Sequence, residues 1–210
     1  MALYACGADR IYVVTLSSEL SGSYNSAELG RRLYEEEYGG KQIYVFNSRS
    51  ASVGETLIAL KIQECEEQGM DFEHVTACVE AYIAGQNTYF VLENLDTLRK
   101  NGRLTGIKSL VASALNIKPV MGSTPEGTIC QLGQARGMKR ALAKMADYIV
   151  RNAKNTEGKI LGISHCNCPE RAEEVRKILL DRIKVKSSFI VDTAGISTMY
   201  ANDGGIIVVL

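Results

Sequence analysis

The chain has 210 residues, of which 46% are hydrophobic and 23% are charged, and this composition excludes an intrinsically disordered protein. Its 24 Lys and Arg residues balance its 24 Asp and Glu residues. The resulting net charge of zero argues against nucleic acid or an anionic membrane surface as the main partner. There is no apolar run of about 18 residues, so we expect no stable membrane insertion.

The first half of the chain alternates short apolar runs with helical patterns, which is typical of a parallel sheet covered by helices. A serine-rich segment, residues 17–23, follows the first predicted strand, and Gly39 and Gly40 end the first predicted helix. Asp71 is the predicted N-cap of the third helix. The predicted strands are 12–16, 43–46 and 88–92, and the predicted helices are 24–38, 72–84, 94–100 and 107–115, with a further helix after 43–46 whose apolar positions are Val53, Leu57, Leu60 and Ile62.

The second half predicts a hairpin followed by further α/β segments. Its turn is residues 123–127, which are rich in Ser, Thr, Pro and Gly. The predicted strands are 118–122, 128–132, 159–164, 188–191 and 206–210, and the predicted helices are 137–152 and 169–183. We therefore predict two α/β domains: 1–114 with a mostly parallel sheet, and 115–210 with a mixed sheet.

The serine-rich turn is the strongest candidate for a ligand site. In an open α/β sheet, ligands bind beyond the carboxyl ends of strands, and the N-terminus of a helix attracts anions. Ser17, Ser18, Ser21 and Ser23 supply hydroxyl donors there, and Gly22 allows close approach of the backbone. Since capping a helix needs one serine and not four, we expect this turn to bind an anion or a carboxylate.

Charged and metal-ligating residues give weaker signals. Arg103 and Arg136 are predicted in loops, where the guanidinium fork suits a carboxylate or a phosphate. His74 is predicted to face solvent and His165 to be structural. The segment from His165 to Cys168 could hold a metal, but plain buried thiols are favoured because Cys-x-Cys is not the usual spacing. We predict no metal and no cofactor.

The six cysteines are scattered and form no disulfide framework, and residues 1–10 lack the pattern of a signal peptide. Both features indicate a reducing, cytoplasmic location.

Four segments together resemble the DegV family, in order and in spacing. They are Leu16 to Ala27, similar to the family's S-S-x-L-S-G-T-Y-x-S-A signature, Leu95 to Gly106, Leu115 to Val120 and Ala135 to Ala141. The resemblance implies a bacterial two-domain protein that binds one long-chain fatty acid between its domains. It further implies the role of a non-catalytic subunit, which presents the carboxylate to a separate ATP-dependent fatty acid kinase subunit for acyl-phosphate formation.

The resemblance also assigns residues. The family's carboxylate-binding serine corresponds to Ser21, with Ser18, Gly22 and Ser23 in the same turn, and its two kinase-facing arginines correspond to Arg103 and Arg136. Two features depart from the family pattern. The family begins with an earlier strand, so the first domain is expected to be truncated, and Tyr200 stands near the position of the family's usual histidine.

Two other functions stay open at this point. The same serine turn could serve a hydrolase or a transferase that acts on a small anionic substrate, with His165 as its candidate base. Alternatively, the protein could be a regulatory module whose ligand reports the lipid supply.

Overall fold

The computed structural model of the protein describes residues 7–104 and 116–210, and these form two compact units. The first unit contains residues 7–51, 55–86 and 125–128, and the second contains 52–54, 87–104, 116–124 and 129–210. The predicted helix 107–115 lies outside the described residues. The domain division between residues 114 and 115 therefore stays a prediction.

The strands and helices follow the predicted order, with differences at their ends and with one additional helix, Gly195–Ala201, that the sequence did not predict. The strands are β1 (Arg10–Thr15), β2 (Gln42–Asn47), β3 (Thr88–Val91), β4 (Ile117–Ser123), β5 (Ile129–Arg136), β6 (Ile160–His165), β7 (Ser187–Asp192) and β8 (Ile206–Val209). The helices are α1 (Ser23–Glu37), α2 (Val53–Glu67), α3 (Phe72–Ala84), α4 (Asp96–Lys100), α5 (Met138–Asn152), α6 (Pro169–Leu180) and α7 (Gly195–Ala201). A 3-10 turn, Thr156–Gly158, precedes β6.

In the first unit, β1 and β2 pair in parallel and are connected through α1, as the sequence predicted. Successive side chains of a strand point to opposite faces of a sheet. On one face, Tyr12 and Val14 of β1 and Phe46 of β2 pack with the apolar residues of α2 and α3. The Asp71 side chain caps α3 by accepting a hydrogen bond from the His74 backbone N–H, which confirms the predicted cap.

The second unit contains a six-stranded mixed sheet in the order β5-β4-β3-β8-β6-β7. β6 and β7 are parallel, whereas the other neighbouring strands are antiparallel. Helix α5 packs on β3, β4 and β5, helix α6 packs on β6 and β7, and the two helices contact each other. Met145 and Ile149 of α5 and Leu179 of α6 are fully buried in the shared core. The α/β class with a mixed second sheet is therefore confirmed.

One edge of this sheet collects the loops that carry polar residues. Val91, Ile206 and His165 lie opposite one another on β3, β8 and β6, so the carboxyl ends of β3 and β6 share an edge with the start of β8. β4 is antiparallel to β3 and begins at the same edge.

Among the helices described here, none has both the length and the apolar character that a membrane span requires.

Two local predictions need correction. Arg136 is not in a loop, because β5 continues past residue 132 and ends at Arg136, which lies opposite Ile117 of β4. The N-cap of α1 is Gly22 and not a serine, and no side chain within residues 7–104 and 116–210 caps this helix. The serines of the turn therefore have other partners.

Candidate functional site

Ser17 fixes the shape of the serine-rich turn in the first unit. Its side chain is fully buried, its hydroxyl donates to the carbonyl of Gly127 at 2.9 Å, and its oxygen accepts from the Glu19 N–H at 3.3 Å. Its backbone N–H donates to the carbonyl of Ser50 at 2.8 Å. The donor and acceptor of this serine are thus both used within the protein.

Asn47 connects the serine turn to the second polar turn, residues 47–52. Its side-chain N–H donates to Ser18 Oγ at 2.8 Å, and its Oδ1 accepts from the Ser18 N–H at 3.1 Å and the Arg49 N–H at 3.2 Å. Sequence reasoning did not assign this residue. Its position at the end of β2, parallel to the strand that carries the serine turn, is the signal that could have found it.

Ser21, Gly22 and Ser23 form the start of α1. Ser21 Oγ accepts from the Ser23 N–H at 3.2 Å. The Ser23 hydroxyl is shielded from solvent and has no hydrogen-bond partner in the described part of the chain. Within the same part, the backbone N–H groups of Tyr24 and Asn25 have no acceptor, as is usual in the first turn of a helix.

The hydrogen-bond inventory of the turn favours an anion. A serine hydroxyl has one hydrogen to donate, whereas an ionised carboxylate can only accept. The Ser17 hydroxyl donates its hydrogen to the Gly127 carbonyl. Within residues 7–104 and 116–210, the Ser18 and Ser21 hydroxyls accept a hydrogen bond but donate none, and the Ser23 hydroxyl neither donates nor accepts. Three hydroxyl donors and a helix N-terminus therefore stay available for a ligand in this turn.

The second unit contains an ion-paired cluster at the sheet edge defined above. Lys118 Nζ donates to Glu93 Oε2 at 2.6 Å and to the Glu93 carbonyl at 2.6 Å. Arg171 Nη1 donates to Glu93 Oε1 at 3.1 Å and also to the carbonyl of Gly204. Burial opposes the ionisation of Glu93, but the two cations outweigh it and lower the pKa of this carboxyl below its ordinary value of 4.5.

The second unit also carries the other residues that the sequence proposed. Tyr200, on α7, is half-buried and packs against a cluster that includes Leu98 and Leu104, and α7 contacts α4. Arg103 lies in the turn after α4, as predicted, and its guanidinium donates to the carbonyl of Asn101. Arg136 is exposed at the end of β5, directly before the α5 N-cap. The structure thus brings the four serine-turn residues together in one unit and places Tyr200 and the two arginines in the other.

Neither histidine bonds to the serine turn within the described residues. His74 is 77% exposed and lies 2.7 Å from Asp71 Oδ1, so the prediction of a solvent-facing residue is confirmed. His165 is buried at the end of β6, where its Nδ1 accepts from the Cys168 N–H at 3.3 Å. This bond fixes the loop that begins α6, which agrees with a structural histidine.

The cysteines of the described ranges are free thiols, and burial raises the pKa of the Cys168 thiol. No group of three His, Cys, Asp or Glu residues in those ranges is arranged to hold a metal ion.

Comparisons with known proteins agree with this fold. The model of the DegV family, described as uncharacterised proteins, matches residues 2–209. A DegV-family structure from Ruminococcus gnavus, solved with vaccenic acid, is 72% identical with a TM-score of 0.96, and the match covers all of this chain and 74% of that one. A curated DegV domain-containing protein from Streptococcus pneumoniae R6 is 33% identical over 204 residues, which are 96% of this chain and 71% of that protein.

Two further solved structures extend the similarity. The Streptococcus pneumoniae fatty acid kinase B3 protein, loaded with linoleic acid, is 31% identical with a TM-score of 0.86, over 97% of this chain and 72% of that one. A DegV-family protein from Eubacterium eligens, loaded with heptadecanoic acid, is 28% identical with a TM-score of 0.88, over 96% of this chain and 72% of that one. With its near-complete match to the family model, this chain belongs to the DegV family.

Proposed function

We propose that this chain is a non-catalytic protein that binds one long-chain fatty acid, and that the serine turn holds the carboxylate. The ligand class is supported by the relatives, since three solved structures that this chain resembles contain fatty acids. The observation that carries the proposed head-group site is the Ser23 hydroxyl, which is shielded from water yet unpartnered in the described residues. A buried polar group without a partner is costly, and a ligand oxygen would satisfy it.

The energetics of such a ligand require a site of this kind. Burying a saturated chain of about 16 carbons releases roughly 11 kcal/mol, at about 0.8 kcal/mol per methylene. An unpaired buried carboxylate costs several kcal/mol and would consume much of that gain. Hydroxyl donors of Ser18, Ser21 and Ser23, together with the free N–H groups at the start of α1, offset this cost.

We further propose that the bound acid is presented to a separate ATP-dependent kinase subunit, which forms the acyl phosphate. Support comes from the Streptococcus pneumoniae relative, which is named as a B protein of fatty acid kinase. In this proposal Arg103 and Arg136 face the kinase, and Tyr200 donates a hydrogen bond to the carboxylate. The exposure of Arg136 agrees with a role at the protein surface.

Solvent extraction of the denatured protein followed by mass spectrometry tests the ligand class. We expect about one long-chain fatty acid per chain in protein purified from a bacterial host. A well-folded preparation that yields no fatty acid, and that takes up none when palmitic acid is supplied, would contradict the proposal.

The variant Ser21→Ala tests the head-group site. It removes the Ser21 hydroxyl, which donates to no group within the described residues and is therefore available to the carboxylate. We expect release of bound palmitic acid to lipid vesicles to be about ten-fold faster, as for the loss of one hydrogen bond to a charged group. Ser26→Ala is the matched control, because Ser26 is exposed on α1, one turn further along. Equal release from both variants would show that the wrong serine was chosen.

Kinase presentation is tested separately. Arg103→Ala and Arg136→Ala should leave the fatty acid content unchanged but slow acyl-phosphate formation with a fatty acid kinase subunit. Arg151→Ala, an exposed arginine on α5, is the control. If the kinase acts equally on all three variants, the arginines have no part in presentation.

A further inference from the structure

Arg49, in the turn after β2, has an unusual backbone conformation. Its φ angle is +50°, in the left-handed region that favours glycine and asparagine, and its side chain is exposed. A long side chain in this region is strained, and such residues concentrate at ligand-binding sites. Arginine at this position is therefore not explained by its backbone conformation.

The same interactions that shape the serine turn also hold Arg49. Its N–H donates to Asn47 Oδ1, the oxygen that also accepts from the Ser18 N–H. The next residue, Ser50, accepts a hydrogen bond from the Ser17 N–H through its backbone carbonyl. Arg49 thus has a fixed backbone position beside the serine turn, within the same unit.

The hairpin tip closes against this position. Gly127 has a φ angle of +92°, and a Cβ there would lie 2.8 Å from Arg49 Cα and would also collide with Ser17 Oγ. Only glycine combines this φ with so close an approach. The tip, the serine turn and Arg49 are therefore packed together without room for another side chain.

The Arg49 guanidinium has neither an ion pair nor a hydrogen-bond acceptor among the described residues. In the described part of the chain no carboxylate pairs with it and no group accepts its hydrogen bonds, whereas the guanidinium groups of Arg10, Arg31 and Arg171 each pair with a glutamate. A guanidinium presents a planar set of donors that matches a carboxylate or a phosphate. Within the described residues, this arginine without an ion pair therefore stands in a turn that is hydrogen-bonded to the serine turn, where its guanidinium can add a charged donor to the hydroxyl donors.

We propose that Arg49 is a further ligand-binding residue, whose guanidinium pairs with the anionic head group of the bound lipid at the solvent side of the serine turn. This inference rests on the proposed function. It differs from the assignments of Arg103 and Arg136, which concern the kinase partner. The backbone strain at residue 49 is then retained because the arginine is needed there.

The variant Arg49→Asn tests this role, since asparagine tolerates the left-handed conformation and lacks the guanidinium and its charge. We expect palmitic acid to leave for phosphatidylcholine vesicles about five-fold faster at low salt, and the difference to shrink at high salt. Release of hexadecanol, which has no charge, should not change. Arg49→Lys should restore part of the retention, and thermal stability should be equal to or above that of the natural protein.

Arg32→Gln is the matched control, because Arg32 is an exposed arginine of α1 in the same unit. Equal loss of palmitic acid and hexadecanol from Arg49→Asn, or an equal effect of Arg32→Gln, would overturn the proposal, as would unchanged release of palmitic acid. If the natural protein retains no palmitic acid at all, the proposed function itself fails, and the inference with it.

Discussion

The serine turn of the first unit and the Glu93 cluster of the second are both polar, but they differ in how their hydrogen bonds are used. Glu93 pairs with Lys118 and Arg171, and its carbonyl also accepts from Lys118. In the serine turn, Ser17 is fully bonded, whereas Ser23 is unpartnered in the described residues. The first pattern is typical of a structural cluster, whereas the second agrees with the proposal that the serine turn binds a ligand.

The chemistry of the groups explains why the two clusters can differ. An unpaired charge at a partly buried position is expensive, so the carboxylate and the two cations must satisfy one another within the protein. An unpaired hydroxyl costs less, and it can be kept for a ligand. Substitutions in the two regions should therefore separate stability from ligand retention.

The largest effect on stability is expected for Gly127→Ala, which disturbs the contact between the hairpin tip and the serine turn. The added Cβ would meet Arg49 Cα and Ser17 Oγ at a φ of +92°, so we expect a loss of about 3 kcal/mol in the free energy of unfolding. Gly40→Ala is the control, because Gly40 also has a positive φ, +80°, but open space around its Cα. Urea unfolding should show a loss of only about 1 kcal/mol there. Equal losses would mean that the contact with the hairpin tip does not matter.

The next effect concerns the charged cluster. Glu93→Gln leaves Lys118 and Arg171 without their anion, and we expect a loss of about 2 kcal/mol, which partial exposure keeps below the values for fully buried pairs. Asp96→Asn breaks the exposed pair with Arg99 and should cost less than about 0.5 kcal/mol. Retention of palmitic acid should change little in either variant.

This loss should depend on pH in a defined direction. Because the pKa of Glu93 is lowered in the folded protein, its ionisation stabilises the fold above the ordinary value of 4.5, and this contribution is lost as the pH falls through the folded pKa. The stability difference between the natural protein and Glu93→Gln should therefore be full at pH 7 and shrink below pH 4.5. A difference that does not change over this range would contradict the assigned ion pairs.

The smallest effect on stability is expected at Ser23. Ser23→Ala removes a hydroxyl that has no hydrogen bond within the described residues, so the ligand-free protein should stay within about 0.5 kcal/mol of the natural one, while palmitic acid is released faster. Ser17→Ala should do the reverse and cost about 1 to 2 kcal/mol, because it leaves the Gly127 carbonyl without its donor. A large loss of stability in Ser23→Ala would place this serine among the structural residues.

The sequence predicted the strands well because their apolar runs fill buried cores. It missed α7 (Gly195–Ala201), whose Ile196 and Met199 are 58% and 47% exposed, so that no apolar periodicity marks the helix. It also ended β5 too early, since residues 133–136 are polar or small and their pairing depends on β4.

The candidate site was predicted by residue type but not by role. The four serines of the turn look alike in the sequence. Only tertiary contacts distinguish Ser17, which is buried and hydrogen-bonded, from Ser23, whose hydroxyl has no partner within the described residues. Arg49 gave no signal, because a left-handed φ at an arginine cannot be inferred from local propensity. The bond from Asn47 to Ser18 depends on the parallel alignment of β1 and β2.

The bond from the Ser17 hydroxyl to the Gly127 carbonyl joins positions 110 apart in the sequence. During synthesis on the ribosome, residue 17 emerges long before residue 127, and the nascent serine turn has no partner for its central hydroxyl in that interval. Contacts of such separation form late, since a long loop must close first. The proposed head-group site is therefore expected to take its final shape only after residue 127 has been made and has reached the serine turn.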